Sequence, residues 1–460
     1  MVIIKFVKEN PFMKNISIVR TSDARLERFA ALKVNAPVPA ETLGHSIATI
    51  NIDAQMQYQT FEGIGGAFTE AAASVWQTLA PEKQQQLIAA YFDPENGNNY
   101  VMGRTHMNSC DFALGNYACC ETPGDVELKS FSLKREKQAI IPMIQAAQKY
   151  RADIKLMITP WSPPAWMKDS GKMNQGGKLL PEYRQVWANY YCRFIQELAK
   201  ENITVWGLSV QNEPEAKPAW DSCNYSPAEE RDFVRDYLGP TLWKNNLQKV
   251  KVMVWDHNRY RIYDRVSEIY NDPEASKYIW GAAYHWYCEE RFDVLQRTHE
   301  KWPDKKLLFS EGCHEGGAYH GEWVVGERYA HNMINDFNSY CVGWIDWNMV
   351  LNEQGGPNHV GNFCSAPILV DTENGNYMKQ SSYYYIGHFS RYIQPGAKRI
   401  LCASTRDRLE ATAFVNPDGS RICVILNRSD IEYPCYLKEN DRAVKFTALP
   451  HSIVTVKIED

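Results

Sequence analysis

Val205-Trp206-Gly207-Leu208-Ser209-Val210-Gln211-Asn212-Glu213-Pro214 is a short apolar run that stops on a glutamate, and Lys306-Leu307-Leu308-Phe309-Ser310-Glu311-Gly312-Cys313 repeats the pattern further along the chain. Working outward from these two segments, comparable runs lie at Phe61–Gly66, Arg104–Asn108, Ile154–Pro160, Val252–Asp256, Gly281–His285 and Val342–Asp346. Helical stretches separate them. Pro81–Phe92 begins on a first-turn proline, and Pro181–Lys200 carries Val186, Tyr190, Phe194, Ile195 and Leu198 at helical spacing. Eight strands alternating with helices predict an α/β chain built on a (β/α)8 TIM barrel, a fold of about 250 residues plus insertions. In such barrels the chemistry lies at the C-terminal strand ends, where both glutamates fall.

After Phe389 the texture changes to alternating β-like runs at Leu409–Phe414, Arg421–Leu426, Ala443–Thr447 and Ser452–Ile458, broken by turns such as Asn416-Pro417-Asp418-Gly419. The opening residues, with Ser17–Arg20 and Ile47–Ile52, are too few to fold alone. The expected organisation is therefore residues 1–58 supplying strands to a β-sandwich, 59–385 forming the barrel and 386–460 completing an accessory sandwich from both chain ends.

The 460 residues are 44% hydrophobic and 23% charged, with a formal net charge of -5. That charge gives no basic footprint for nucleic acid and no polybasic patch for anionic lipid. No run of about 18 apolar residues is present, so no transmembrane segment is expected. Lys5, Lys8 and Glu9 interrupt the start too early for an export signal, which points to a cytoplasmic protein or one released by a signal-independent route. The 12 cysteines show no C-x-x-C spacing and read as mostly buried free thiols.

Two isolated glutamates at barrel strand ends suit a retaining glycosidase, in which one carboxylic acid protonates the leaving oxygen and a carboxylate roughly 5 Å away attacks the anomeric carbon. Other strand ends are polar or aromatic as well: Asp111 follows the second, Trp161 the third, His285-Trp286-Tyr287 the sixth and Asp346-Trp347-Asn348 the eighth. Gly63, Gly65 and Gly66 lack the spacing of a nucleotide-binding loop, and His314, His320 and Glu322 lack H-E-x-x-H spacing. Neither a cofactor nor a metal is expected. Cys313 has no base beside it in sequence and reads as a buried neighbour of Glu311.

Thr60-Phe61-Glu62-Gly63-Ile64-Gly65-Gly66-Ala67-Phe68-Thr69-Glu70, Ser109-Cys110-Asp111-Phe112, Pro160-Trp161-Ser162-Pro163-Pro164-Ala165-Trp166-Met167-Lys168, Gln211–Pro214, Ala283–Tyr287, Ser310–Cys313, Trp344–Asn348 and Gly387–Ser390 occur in that order. Together they resemble the motifs of glycoside hydrolase family 30, and most of all its glucosylceramidase branch. The resemblance implies that Glu213 is the general acid/base and Glu311 the nucleophile, with Asn212 bonding the sugar 2-hydroxyl and Asp111 gripping hydroxyls remote from the anomeric carbon. It also implies sugar contacts for Trp161, Trp347 and Asn362, with Trp166 and Trp286 at the pocket walls. Tyr287 is expected to hydrogen-bond Glu311, and His285 beside it to join the substrate site.

The activity so implied is hydrolysis of a β-glucosidic bond, most directly that of glucosylceramide. The partner is then a small-molecule glycoside or glycolipid, met in the latter case by transient contact with a membrane surface. Rival readings are a β-1,6-glucanase or β-xylosidase of the same family, a glycan- or glycolipid-binding protein on a degenerate hydrolase barrel, and a metal-dependent hydrolase. Lysosomal members of the branch carry an export signal and early disulfides, and neither is expected in this sequence. The loops Cys288–Phe292 and Cys313–Arg328 look individual and are expected to border the leaving-group side.

Overall fold

A computed structural model describes residue 13, residues 15–44 and residues 46–460. The charged segment Met1–Asn10 lies outside the described residues. The chain divides into two compact units, one of residues up to Phe61 with Glu327–Ile334 and Tyr384–Asp460, the other of Glu62–Gly326 and Asn335–Tyr383.

The larger unit is a closed barrel of eight parallel strands. They are β1 (Gly63–Ala67), β2 (Met102–Met107), β3 (Lys155–Pro160), β4 (Val205–Ser209), β5 (Lys251–Asn258), β6 (Ile279–His285), β7 (Lys306–Glu311) and β8 (Cys341–Asn348). Each lies within a few residues of a run legible in the sequence, because strands buried on both faces read as continuous apolar stretches. The helix Pro81–Phe92 has the expected bounds and buries Leu87, Ile88, Tyr91 and Phe92. The segment from Pro181 opens as one 3-10 turn before the helix Arg184–Lys200, whose buried side chains Val186, Trp187, Tyr190, Tyr191, Phe194, Ile195 and Leu198 recur every three or four residues.

Met102, Met157, Met253, Ala283, Leu308 and Ile345 form an apolar cluster contributed by six of the strands. Gly65 shows how tightly β1 closes the ring. A Cβ there would lie 1.8 Å from the Met102 carbonyl oxygen of β2, so any side chain would push two paired strands apart. Here the glycine permits close backbone approach, and Gly65 pairs with Met102 in the ladder.

In the smaller unit, Asn15–Ser22 pairs antiparallel with Ser452–Glu459 along its whole length, from Asn15 opposite Glu459 to Ser22 opposite Ser452. The two chain ends therefore share one ten-stranded sheet. Its core gathers Ile18, Ile50, Ile52, Ile400, Leu437, Val444, Val454 and Val456. The strands Lys398–Ser404 and Tyr433–Glu439 were not read from the sequence. The first opens on Lys398-Arg399 and the second carries Pro434, both poor strand signals. All 12 cysteines are free, and all but Cys288 and Cys402 are buried. No helix among the described residues is long and apolar enough to cross a membrane.

Gly65→Ala is expected to lower the thermal midpoint by about 4 °C or more through strand displacement. Gly44→Ala, whose added Cβ meets nothing closer than 3.9 Å, should stay within ~1 °C of wild type. Equal midpoints in a thermal melt would contradict the close-approach argument.

Candidate active site

Of the residues chosen from the sequence, all but His285, Trp166 and Trp286 line one pocket of about 250 Å³. Asp111 and Trp161 reach it from beyond β2 and β3, Asn212 and Glu213 from beyond β4, Tyr287 from beyond β6, Glu311 from the end of β7, Trp347 from β8 and Asn362 from the loop that follows. Phe112, Trp220 and Phe363, not singled out in the sequence, complete its apolar lining. Trp166 lines a different and larger cavity of about 760 Å³ with Tyr117, Asn174 and Gln175. Trp286 is buried and donates its indole N–H to the Cys313 carbonyl at 3.1 Å. Neither tryptophan walls the carboxylate pocket.

The residue that organises the site is Arg104, in the middle of β2 and fully buried. Its guanidinium donates from Nη1 to Glu311 Oε2, from Nη2 to Asn212 Oδ1 and Asp256 Oδ2, both at 2.9 Å, and from Nε to Thr159 Oγ1 at 3.2 Å. It also lies 4.8 Å from the Trp161 ring centroid and 5.4 Å from that of Trp347. Those two rings stack on each other at 5.2 Å. An arginine can only donate. Asn212 must therefore turn its oxygen to Arg104, which leaves its NH2 group to donate elsewhere.

Asp256, near the end of β5, is the second organiser. Its Oδ2 accepts from Arg104 and Ser209, and its Oδ1 from Ser310 at 2.6 Å and His285 Nε2 at 3.0 Å. Burial alone would push its carboxyl up, but Arg104 and His285 hold it well below the usual range. Trp255 and Asp256 both have positive φ, 75° and 49°, at a register shift in the β5–β6 ladder. Glu213 is in the left-handed region as well, at 46°, and its N–H donates to the Asp256 carbonyl at 3.0 Å. Strained backbone of this kind persists only where its surroundings enforce it.

His285 corrects an expectation. It ends β6 with its ring fully buried, its Nδ1 3.3 Å from Glu213 Oε1 and 3.9 Å from Glu311 Oε1. It touches both carboxylates from behind and is not part of the sugar-facing lining. Burial works against a charge on this imidazole, yet Glu311, Asp256 and Glu213 lift it to about 9. For Glu213, burial pushes up while the His285 hydrogen bond and the charges of His257 and His285 pull below the ordinary range. For Glu311, burial and the Glu213 charge win over His285 and Arg104 and raise it. The two carboxylates titrate together through the shared imidazole.

Tyr287 meets its expectation, its hydroxyl donating to Glu311 Oε1 at 3.1 Å and lying 3.3 Å from Cys313 Sγ. Asp111 accepts at Oδ2 from Asn362 at 3.1 Å and Asn358 at 3.3 Å. Its burial and the Glu311 charge raise it to about 7. Arg104, Asp256 and His257 were all missed from the sequence. The available signals were an arginine inside an apolar strand, which must find acceptors there, and an aspartate at the end of the fifth run. A deep pocket with two coupled carboxylates, a shared histidine and stacked indoles suits acid/base and nucleophilic work on a polyhydroxylated ring.

Comparison with known proteins gives the family. Residues 61–393 match the model of the glycosyl hydrolase family 30 TIM-barrel domain, and residues 396–456 that of the family 30 beta sandwich domain. The chain is 34% identical to the mouse lysosomal acid glucosylceramidase over 450 residues, 94% of this chain and 87% of that protein. An endo-1,6-beta-D-glucanase of Aspergillus fumigatus is 25% identical over 80% of this chain and 78% of its own length. Among solved structures, SrfJ from Salmonella typhimurium superimposes with a TM-score of 0.93 at 36% identity, covering 97% of this chain and all of that one. An endo-beta1,6-glucanase superimposes at 0.87 with 27% identity and the same coverage. The chain is therefore a member of glycosyl hydrolase family 30, a glycoside hydrolase.

Proposed function

We propose that this hydrolase is a retaining β-glucosidase of glucosylceramidase type, with Glu311 as nucleophile and Glu213 as general acid/base. The observation that carries the reading is the unequal setting of two carboxylates across one imidazole edge. Glu311 receives a permanent guanidinium and a phenol, donors that suit a carboxylate required to stay ionised and attack. Glu213 has no such permanent donor, only His285 Nδ1 at 3.3 Å and His257 Nδ1 at 3.6 Å from its Oε1. With His285 Nε2–H on Asp256, a neutral ring offers Nδ1 to a Glu213 Oε1–H, whereas an imidazolium leaves Glu213 ionised. The two forms differ by one proton moved along that contact. As the glycosidic oxygen gains basicity, Glu213 delivers the proton to it while Glu311 bonds the anomeric carbon. Once the ester forms, the Glu311 charge is gone, and Glu213 removes a proton from water to complete the second displacement.

The Asn212 NH2, oriented by Arg104, is suited to the sugar 2-hydroxyl, a contact that strengthens as the ring flattens. Asp111 with Asn362 is suited to hydroxyls at the far side, and the Trp161–Trp347 stack to a C–H face. A glucosyl substrate with a lipid leaving group is supported by the small pocket, by the 37%-exposed Phe363 on its lining, and by identity with the mouse glucosylceramidase over most of both chains. A second reading, β-1,6-glucan, is favoured by the glucanase relatives and by the larger cavity at Trp166, whose lining ends at Ala219 next to Trp220 of the pocket. Hydrolysis of fluorescent glucosylceramide, an aryl β-glucoside and β-1,6-glucan by the full chain separates the two. Glucan cleavage without ceramide glycoside cleavage would overturn the first.

Glu311→Gln should lower kcat on all substrates by roughly four orders of magnitude or more. Glu213→Gln should cost roughly 10²–10⁴-fold on substrates with poor leaving groups. With an activated aryl glucoside the Glu213 variant should be rescued by azide, giving β-glucosyl azide. Rescue of the Glu311 variant to the β-azide instead would reverse the assignment.

Asp111→Asn should raise KM roughly 10-fold or more, the scale of a hydrogen bond to a charged group, and should also stabilise the protein. In the native state Asp111 titrates at about 7, against 3.8 for the ordinary group. Between those values the folded chain binds more protons than the unfolded one, so this residue makes stability fall as pH rises. The melting midpoint of Asp111→Asn should therefore exceed wild type at pH 7 by at least ~2 °C, and the gain should vanish near pH 4. A lower midpoint at pH 7 would contradict the argument.

A further inference from the structure

We propose that Glu213, His257 and His285 form a binding site for a divalent transition-metal ion of the Zn2+ type, and that the ion inhibits hydrolysis by occupying the acid/base carboxylate. One donor atom from each of the three lies within 4.8 Å of the others. Two separations are already short: Glu213 Oε1 is 3.3 Å from His285 Nδ1 and 3.6 Å from His257 Nδ1. Around zinc, with bonds of about 2.0–2.2 Å to nitrogen and oxygen, tetrahedral donors stand about 3.3–3.5 Å apart. Only the two imidazoles need close on each other.

Three further features favour a metal over a chance cluster. His285 Nε2 is hydrogen-bonded to Asp256 Oδ1 at 3.0 Å, which fixes the ring with Nδ1 towards Glu213. A carboxylate behind a histidine is the usual support of a metal-ligating ring. His257 Nδ1 is buried and has no hydrogen-bond partner, so ligation would satisfy an atom the apo site leaves bare. Its ring is kept in place against Trp255, centroids 5.1 Å apart. Third, His285 Nδ1 and Glu213 Oε1 already share one proton at 3.3 Å, and a metal cation takes the place of that proton when it binds. Asp256 and Glu311 add negative charge around the ion, which Arg104 offsets in part. The pocket beyond Glu213 leaves room for water in the fourth position, as in three-ligand zinc sites. Two imidazoles and one carboxylate select Zn2+, Co2+ or Cu2+ over Mg2+ or Ca2+.

Binding is independent of the function proposed above, whereas the inhibitory half rests on Glu213 being the acid/base, so the experiment reads the two separately. The full chain is titrated with Co2+ and followed by visible absorption, then Zn2+ inhibition of aryl-glucoside hydrolysis is measured for wild type, His257→Ala and Cys313→Ser. The expected result is one Co2+ per chain with a tetrahedral ligand-field band, displaced by Zn2+. His257→Ala should lose that band and need roughly 10-fold or more Zn2+ for half-inhibition, whereas Cys313→Ser should leave both unchanged. His257→Phe, which keeps a ring against Trp255, replaces the alanine variant if the latter does not fold. Absence of the band in wild type would overturn the site. So would a sulfur-to-metal absorption lost in Cys313→Ser, which would move the ion to the neighbouring thiols, or Zn2+ sensitivity unaltered in the His257 variants. Metal binding at the site without any loss of glucoside hydrolysis would overturn the inhibitory half alone.

Discussion

The guanidinium of Arg104 is the interaction on which the site depends. It is wholly buried and in contact with Glu311, Asp256, Asn212 and Thr159 through donors fixed in one plane. Two buried carboxylates without it would each carry a desolvation cost of several kcal/mol. A lysine could neither reach four acceptors in that plane nor place a broad, delocalised cation over the Trp161 and Trp347 rings. One side chain thus fixes the orientation of Asn212, the ionisation of Asp256, a permanent donor on Glu311 and the position of the indole stack.

From Asp256 the network extends to His285 and through it to both glutamates. Because His285 is shared, the charge on either carboxylate is felt by the other, which is the coupling a two-step displacement uses when the first step removes one charge. Much of this arrangement works against stability. Asp111 is buried with a raised pKa, Glu213 and Asp256 hold left-handed backbone, and His257 presents a bare nitrogen. Such costs gather where chemistry is done and are offset by the surrounding barrel. His388 makes a useful contrast: buried and pushed down to about 3, it bridges Thr21 and Thr455 and holds the sheet of the smaller unit.

The barrel was legible because eight apolar runs mark strands buried on both faces, and because their C-terminal ends carry residues with no packing reason to be there. Glu213, Glu311 and Tyr287 could be found for that reason. Arg104 could not, since it lies inside a strand and its partners come from β3, β5 and β7 and the residues after β4, a convergence that exists only once the barrel closes. His285 was found but misplaced. Its position at a strand end gave its neighbourhood, whereas its depth behind Glu213 depends on the irregular pairing of β5 with β6. In the smaller unit, apolar or alternating runs were read, whereas Lys398–Ser404, opening on two successive charges, and Tyr433–Glu439, carrying Pro434, were not.

The most direct test of this account is to trap the first intermediate. A 2-deoxy-2-fluoro β-glucoside with an activated leaving group slows the second displacement more than the first, and peptide mass spectrometry of the inactivated full chain locates the sugar. The account predicts one fluoroglucosyl group per chain, ester-linked to Glu311, with activity returning as the ester hydrolyses. A label on another residue, or turnover that releases product with inverted configuration and never accumulates a covalent species, would contradict it.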